Sequence, residues 1–283
     1  MPRPFPTDAD IQQIRTLYEL EKGLADRLRQ ASDTERPGLY NVVYDEYFRS
    51  LPEGTAPHPN AEQTELQLRL LAPFLDQDSS FLEIGSGDGA LARAVAGRVG
   101  RVVTVDASRV VAESGGDLPA NLIHVMPENM GAMEPGSIDV AFSCHFLEHL
   151  HPADLEPHLR QTLRVLKPGA PYVMVTPNRL YGPHDISGYF ADIPEGFHLR
   201  EYSHGDLAAA ARQAGFNAVK TLHGIGRPPS LRSPALTGFQ ELCLALLGRP
   251  LRRLFLEKML GRRAPFRPLE QVMLVAWKGP RPA

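Results

Sequence analysis

Apolar positions along the chain follow two different periods. Between residues 11 and 29, Ile11, Ile14, Leu17, Tyr18, Leu20 and Leu24 recur at roughly helical spacing. Tyr40, Tyr44, Tyr47 and Phe48 share one helical face in the next segment. Each set predicts an amphipathic helix. Residues 52–59 are a breaker stretch rich in proline. A third helical pattern, carried by Leu66, Leu68, Leu70, Leu71 and Leu75, covers 62–75.

From Ser80 the pattern shortens. Apolar runs at 81–84, 101–106, 122–126, 138–143 and 171–176 predict strands, with helices at 90–99, 108–113, 155–166 and 204–214. Strands alternating with helices imply βαβ units and a parallel sheet covered on both faces. Two late strands, 217–223 and 271–278, flank a long segment at 227–268. The expected division is a helical leader or lid over 1–76 and an α/β domain over 77–283, with 227–268 inserted before the last strand.

Composition adds exclusions. The chain has 283 residues, 43% hydrophobic and 22% charged, enough to bury a core without staples. A net charge of -3 argues against a generally basic nucleic-acid binder, and no nucleic-acid partner is expected. No apolar run approaches a spanning helix, and the proline-bearing N-terminus lacks the apolar region of a signal peptide. Two cysteines, Cys144 and Cys243, make no disulfide framework; a reducing, cytoplasmic setting is the expectation.

The strongest local signal is Glu83-Ile84-Gly85-Ser86-Gly87-Asp88-Gly89, which joins a strand to a helix. Glycines there permit a tight turn and let backbone approach a ligand without a Cβ in the way. Asp106 ends the next strand, where an acid can accept both ribose hydroxyls of a nucleoside. A bare tight connection would need neither the acid nor its spacing. Gly85, Gly87 and Ala90 also fit a dinucleotide fingerprint formally, which keeps a nicotinamide-dependent oxidoreductase as the alternative. Glu83 and Gly89 disfavour it.

Glu83-x-Gly85-x-Gly87-x-Gly89 resembles motif I of class I S-adenosylmethionine (SAM) dependent methyltransferases. Ser143-Cys144-His145-Phe146-Leu147-Glu148-His149-Leu150, Leu166-Lys167-Pro168-Gly169 and Thr176-Pro177-Asn178 resemble later segments of that family, in its order. Ala170 stands where the family's turn carries a second glycine. The resemblance implies a doubly wound, mostly parallel, Rossmann-like sheet of seven strands, the last antiparallel beside the fifth. It implies SAM as cofactor: Gly85, Gly87 and Gly89 admitting the methionine end with Ser86, Glu83 holding the amino group, and Asp106 with Ala107 at the ribose. Glu128 is the choice for the adenine, and Ser143 lies beside the cofactor.

A sulfonium is already an activated methyl donor, so the protein must mainly align an acceptor and exclude water. Seven of the ten histidines lie between His145 and His204. A hydroxyl acceptor benefits from a general base, and histidine suits neutral pH; His149, His145, His198 and His184 are the catalytic candidates, and O-methylation of a small molecule is the expected reaction. Two other readings stay open. Glu148 and His149 can be structural, or His145, Glu148, His149 and His198 can hold a divalent ion; no metal is the expectation. A SAM-binding regulator without turnover is the non-enzymatic alternative.

Segment 227–268 carries nine Lys/Arg against Glu241 and Glu257, with Leu251, Leu254, Phe255 and Met259 as an apolar helical stripe. It can pack on the domain, grip an anionic partner, or make peripheral membrane contact through 251–263.

Overall fold

The computed structural model describes residues 8–51, 60–107, 119–223, 230–246 and 271–279. The leader forms α1 (Asp8–Gln30), α2 (Arg36–Ser50) and α3 (Ala61–Leu71). Asn60 caps α3 by accepting the Gln63 N–H at 3.1 Å. The α/β part then runs β1 (Ser80–Ile84), α4 (Ala90–Ala96), β2 (Arg101–Val105), β3 (Leu122–Val125), β4 (Val140–Cys144), α5 (Leu155–Val165) and β5 (Pro171–Pro177). It continues through α6 (His204–Ala214), β6 (Ala218–His223), β7 (Ser230–Arg232), α7 (Pro234–Ala245) and β8 (Gln271–Trp277). A capping box between Ser203 and Asp206 starts α6, and left-handed Gly215 ends it.

The strands form one sheet in the order β3-β2-β1-β4-β5-β8-β6-β7. Neighbours from β3 to β5 are parallel, and β8 lies antiparallel between β5 and β6. The order reverses between β1 and β4, which opens a crevice at their carboxyl ends. Every residue of β5 is buried, as expected for a strand covered on both faces. One face packs Leu82, Ile84, Leu147, Leu159, Leu207 and Leu274; the other packs Phe81, Leu91, Val95, Phe142, Val173 and Trp277.

The sheet has eight strands rather than the expected seven. The extra one, β7, is a three-residue edge strand paired antiparallel with β6 through Thr221–Arg232 and Leu222–Leu231. A Ser-Leu-Arg tripeptide is too short to carry a period. The described part of 227–268 is therefore β7 and α7. The helix expected at 108–113 and the stripe Leu251, Leu254, Phe255 and Met259 lie outside the described residues.

The leader is bolted to loops at the carboxyl edge. Arg36, 2% exposed, forks onto Asp154 with Nε and Nη2 each 2.9 Å from a carboxylate oxygen. Tyr40 donates to the same carboxylate at 2.8 Å and accepts the His151 N–H at 2.8 Å. From α1, Arg29 donates to the carbonyls of Glu195 and Gly196 (2.7 and 2.8 Å), and Glu21 accepts the Phe197 N–H at 2.9 Å. A side chain at Gly196 would strike the Glu21 carboxylate, so this approach requires glycine.

Arg36→Ala would leave the partly exposed Asp154 carboxylate with Tyr40 as its remaining side-chain donor. It should lower the unfolding free energy by about 2 kcal/mol and open the leader to limited proteolysis. A loss below about 1 kcal/mol in urea unfolding would mean that solvent already screens the pair.

Candidate functional site

The turn after β1 is built from left-handed glycines: Gly85 (φ +72°), Gly87 (φ +51°) and Gly89 (φ +69°). The Gly85 N–H donates to the Val105 carbonyl and the Gly87 N–H to Asp106 Oδ2, both at 2.7 Å, so the tips of β1 and β2 are tied together. A Cβ on Gly85 would sit 2.7–2.9 Å from three Phe146 side-chain atoms. Phe146 thereby locks the turn against the loop that follows β4.

Glu83 is buried at the end of β1, and its Oε2 has no hydrogen-bond partner among the described residues. Burial, followed by the neighbouring Asp106 and Asp88, pushes its pKa well up. An orphaned carboxylate oxygen in an acidic neighbourhood is where an ammonium group gains most. On α2, Asn41 Oδ1 and the Tyr44 hydroxyl are likewise buried without partners among the described residues. Burial raises the tyrosine's pKa well above its ordinary value, with Tyr40, Glu21, Glu148 and Asp106 adding to it. The glycine turn, the acid pair and these orphaned polar atoms fit a nucleoside ligand that carries an amino acid group.

On the other side of the crevice, β4 ends in a left-handed residue that is not glycine. His145 has φ +52°, the one positive φ outside glycine among the described residues. Such backbone is uncommon for a residue with a Cβ and gathers at functional sites. Its N–H still donates to the Val175 carbonyl at 2.9 Å, and the chain then turns sharply. The turn sets His145 Nδ1 at 3.2 Å from Glu148 Oε1 and Nε2 at 3.2 Å from the Gln271 side-chain nitrogen. A carboxylate only accepts and an amide nitrogen only donates, so Nδ1 carries the proton and Nε2 is the acceptor. The imidazole is 40% exposed while Glu148 is fully buried.

Glu148 anchors the whole arrangement. Its Oε2 accepts from Thr176 Oγ1 at 2.8 Å, and its carbonyl accepts the Arg200 N–H at 3.1 Å. Burial alone would raise its pKa. The hydrogen bond from His145, then the nearby His149 and the rest of the imidazole cluster, outweigh burial and hold the group at about 2.

His145 and Cys144 border a cavity of about 210 Å³, lined by Gln63, Leu66, Gln67 and Leu70 of α3, Val175 of β5, and Gln271 and Met273 of β8. Three amides and an imidazole thus face an otherwise apolar space. Burial pushes the Cys144 thiol up to about 12, so it holds no thiolate at neutral pH.

The other candidate histidines point elsewhere. His149 donates Nδ1–H to the Phe197 carbonyl at 3.1 Å and lies edge-on to His198, ring centroids 5.1 Å apart. Burial drives its pKa down to about 4, so the ring is neutral at pH 7. His198 is bonded through Nδ1 to Glu201 at 2.8 Å; burial acts to lower its pKa, but Glu201 and Glu148 outweigh it and the net direction is up. His184 bonds the Asn178 carbonyl through Nε2 at 2.9 Å, and its backbone N–H donates to Glu201 at 2.7 Å. Tyr44 stacks on Phe197 at 4.7 Å and meets His149 edge-on at 6.0 Å, so α2 covers this cluster. Ligand atoms of Glu148, His149 and His198 lie within 4.8 Å of one another, a set able to hold a divalent ion; His145 is not part of it.

Of the cofactor candidates, Glu83, Gly85, Ser86, Gly87, Gly89, Asp106 and Ala107 lie together on the β1 and β2 tips. Ser143 is buried and its hydroxyl accepts from Tyr172 at 2.9 Å. The side chain of Glu128 lies outside the described residues. Sequence reasoning missed Gln63, Gln67, Gln271 and Thr176. The two α3 glutamines stand four residues apart on a helix face, a spacing that could have flagged them.

A model for a methyltransferase domain matches residues 60–221. A probable S-adenosylmethionine-dependent methyltransferase of Mycolicibacterium smegmatis is 30% identical over 153 residues, 51% of this chain and 56% of that protein. The chain therefore spans a little over half the length of that relative. A SAM dependent methyltransferase from Archaeoglobus fulgidus has the same fold at 18% identity, with 84% of this chain and all of that one covered and a TM-score of 0.53. The geranyl diphosphate C-methyltransferase of Streptomyces coelicolor A3(2) matches at 16% identity over 84% of this chain and 98% of its own, TM-score 0.51. Phosphoethanolamine N-methyltransferase 2 of Haemonchus contortus matches at 16% identity over 91% and 60%, TM-score 0.53. These three show the fold.

A histidine whose folded pKa lies below its unfolded value takes up a proton on unfolding. Burial also holds His158 near 4, so with His149 it should make stability fall as pH drops from 6.5 toward 4, by up to about 1.4 kcal/mol per pH unit for each ring. His198, raised, works in the opposite sense. Urea unfolding at pH 7 and pH 5 should show the loss, and His149→Gln with His158→Gln should flatten it. An unchanged slope would mean that both rings titrate normally.

Proposed function

The chain belongs to the methyltransferase-domain family, and from that premise we propose that it transfers a methyl group from SAM to a hydroxyl of a small-molecule acceptor bound beside His145. The observation that carries this reading is the Glu148–His145 pair at the left-handed end of β4, with His145 lining the cavity between α3, β5 and β8.

When bound, SAM supplies a methyl group already activated on a sulfonium. Holding it falls to the tips of β1 and β2. The Gly85–Gly89 turn would admit the methionine end, Glu83 Oε2 would accept from the amino group, and Asp106 would accept from the ribose. Ser86 and Ala107 border the turn. Ser143 is assigned to support through Tyr172 rather than to contact. Glu128 stands as the adenine candidate.

The remaining work is alignment and one proton. Gln63, Gln67 and Gln271 offer donors and acceptors that orient a hydroxylated acceptor in the cavity. Once the acceptor's hydroxyl replaces the Gln271 amide at His145 Nε2, that nitrogen takes the hydroxyl proton as the oxygen becomes nucleophilic. Glu148 stays ionised, keeps Nδ1 protonated, and stabilises the imidazolium that forms, the logic of a carboxylate-oriented histidine base. The partly exposed ring then returns its proton to solvent. The leader, through Tyr44 and Tyr47, excludes water from the crevice. His149, His198 and His184 act as positioning residues that hold 197–202 and the loop after β5 around Glu148. A divalent ion on Glu148, His149 and His198 would be compatible with this arrangement, but the proton transfer at His145 needs none.

A regulator that only binds SAM would require the glycine turn but not the strained histidine with its buried carboxylate. That distinction favours turnover.

Two variants separate binding from chemistry. Gly85→Val should abolish calorimetric binding of S-adenosylhomocysteine, because its side chain would occupy the space of Phe146. His145→Ala should bind it normally yet lose roughly 10²–10⁴-fold in turnover. With methyl-labelled SAM and a panel of hydroxyl, amine and carbon acceptors, the label should appear on oxygen. Label on nitrogen or carbon, or full activity in His145→Ala, would overturn the reading.

A further inference from the structure

Helix α2 spans the carboxyl edge of the sheet. It packs on residues 127–132 after β3, on the loop after β4 through Arg36 and Tyr40, and on Phe197 through Tyr44 and Tyr47. The strands β3 and β4 stand on opposite sides of the switch point, so α2 roofs the crevice between them.

Tyr40, Tyr44 and Tyr47 share one face of this helix. The Tyr40 hydroxyl is engaged by Asp154 and the His151 N–H, and the Tyr47 hydroxyl is hydrogen-bonded to Glu21. The Tyr44 hydroxyl, between them, is buried without a partner among the described residues. Its ring is stacked on Phe197 at 4.7 Å and meets His149 edge-on at 6.0 Å, so ring packing rather than a hydrogen bond sets where that hydroxyl lies. One turn earlier, Asn41 Oδ1 is in the same state, and Glu83 Oε2 below the roof is a third such oxygen. Buried polar atoms without partners are costly and few, and three around one crevice point to a ligand.

The surrounding charges indicate which ligand chemistry fits. The ionisable groups acting on the Tyr44 hydroxyl are Tyr40 and the acids Glu21, Glu148 and Asp106, and Asp106 acts on Glu83 as well. Arg93 offsets the acids in part at Glu83. The imidazole against the Tyr44 ring, His149, is neutral at pH 7, and His198 behind it is paired with Glu201. Oxygens without donors in an acidic surround are met best by a cation, whereas a carboxylate or phosphate would be repelled.

Resting on the reading of SAM as the bound donor, we propose that Tyr44 and Asn41 supply oxygens that face its sulfonium, and that they make the site select the charged donor over its product. Methyl transfer turns the sulfonium into the uncharged thioether of S-adenosylhomocysteine. The adenosine and the amino acid end are common to both compounds and cannot distinguish them. The roof can, because only the cation gives its oxygens a partner. Transfer thus removes the charge that the roof holds, which favours exchange of product for fresh donor.

The test is calorimetric titration of the full chain, without acceptor, using SAM, S-adenosylhomocysteine and sinefungin, which carries an amine where SAM carries the methylated sulfur. The parent chain should bind SAM at least about tenfold more tightly than S-adenosylhomocysteine, with sinefungin on the side of SAM. Tyr44→Phe keeps the stacked ring and removes only the hydroxyl. It should weaken SAM binding about tenfold and leave S-adenosylhomocysteine within about twofold. Asn41→Leu should act in the same direction. The ligand-free Tyr44→Phe chain should unfold at the parent's temperature or above it, because the hydroxyl it loses bonds nothing. Equal binding of SAM and S-adenosylhomocysteine by the parent would overturn the proposal and leave the cofactor reading standing. So would a Tyr44→Phe chain that binds both compounds as the parent does, that loses both equally, or that unfolds well below the parent without ligand. A parent chain that binds none of the three compounds would overturn the cofactor reading and the proposal with it.

Discussion

The arrangement at the carboxyl edge of the sheet depends on one buried, ionised carboxylate. Glu148 sits where β4 leaves the sheet, and three separate pieces of chain meet on it: the imidazole of His145, the hydroxyl of Thr176 at the end of β5, and the N–H of Arg200 on its carbonyl. A charge removed from water is tolerated only when its lone pairs are met. That requirement makes the partners obligatory rather than incidental. It also explains the left-handed backbone at His145, since a residue in ordinary extended conformation would continue along the strand instead of turning back toward a carboxylate three residues on.

The leader completes the same structure from outside. Glu21, Arg29, Arg36 and Tyr40 attach two helices to the loops at 151–154 and 195–197, and these loops carry the residues that enclose His149 and His198. Tyr44 and Phe197 then close the apolar seam between leader and domain. The site thus divides in two across the switch point of the sheet. On one side lies a glycine turn with an orphaned acid, Glu83. On the other lies an imidazole with its tautomer fixed at both ends. Phe146, packed against Gly85, joins the halves mechanically.

The parts of the fold that were legible in the sequence are those governed by short-range rules. Strands buried on both faces read as apolar runs, and glycines and prolines punctuate them, so β1, β2, β5, α6 and β8 stand within a residue or two of their expected bounds. The glycine turn and the acid after β2 were legible because backbone geometry and spacing dictate the residue types. The roles within the histidine set were not. His145 and His149 stand four residues apart in an irregular segment, where no period says which ring faces a cavity and which is enclosed. The answer depends on the sign of φ at His145 and on Gln271, far away in sequence. The same applies to the edge strand β7, too short for a pattern, and to Glu241, an acid in a basic insertion whose partners Asn178 and His204 are known only once the chain is folded.

The central claim is that Glu148 fixes His145 with its proton on Nδ1, leaving an unprotonated Nε2 that accepts from Gln271 at the cavity's edge. Nitrogen-15 spectroscopy of histidine-labelled protein, with the His145 signal assigned by its loss in His145→Ala, reads the tautomer directly and needs no acceptor. The account expects a protonated Nδ1 and an unprotonated Nε2, with that preference lost in Glu148→Leu, which leaves Nδ1–H without its acceptor. An Nε2-protonated ring in the parent chain, or a tautomer unchanged by Glu148→Leu, would contradict it.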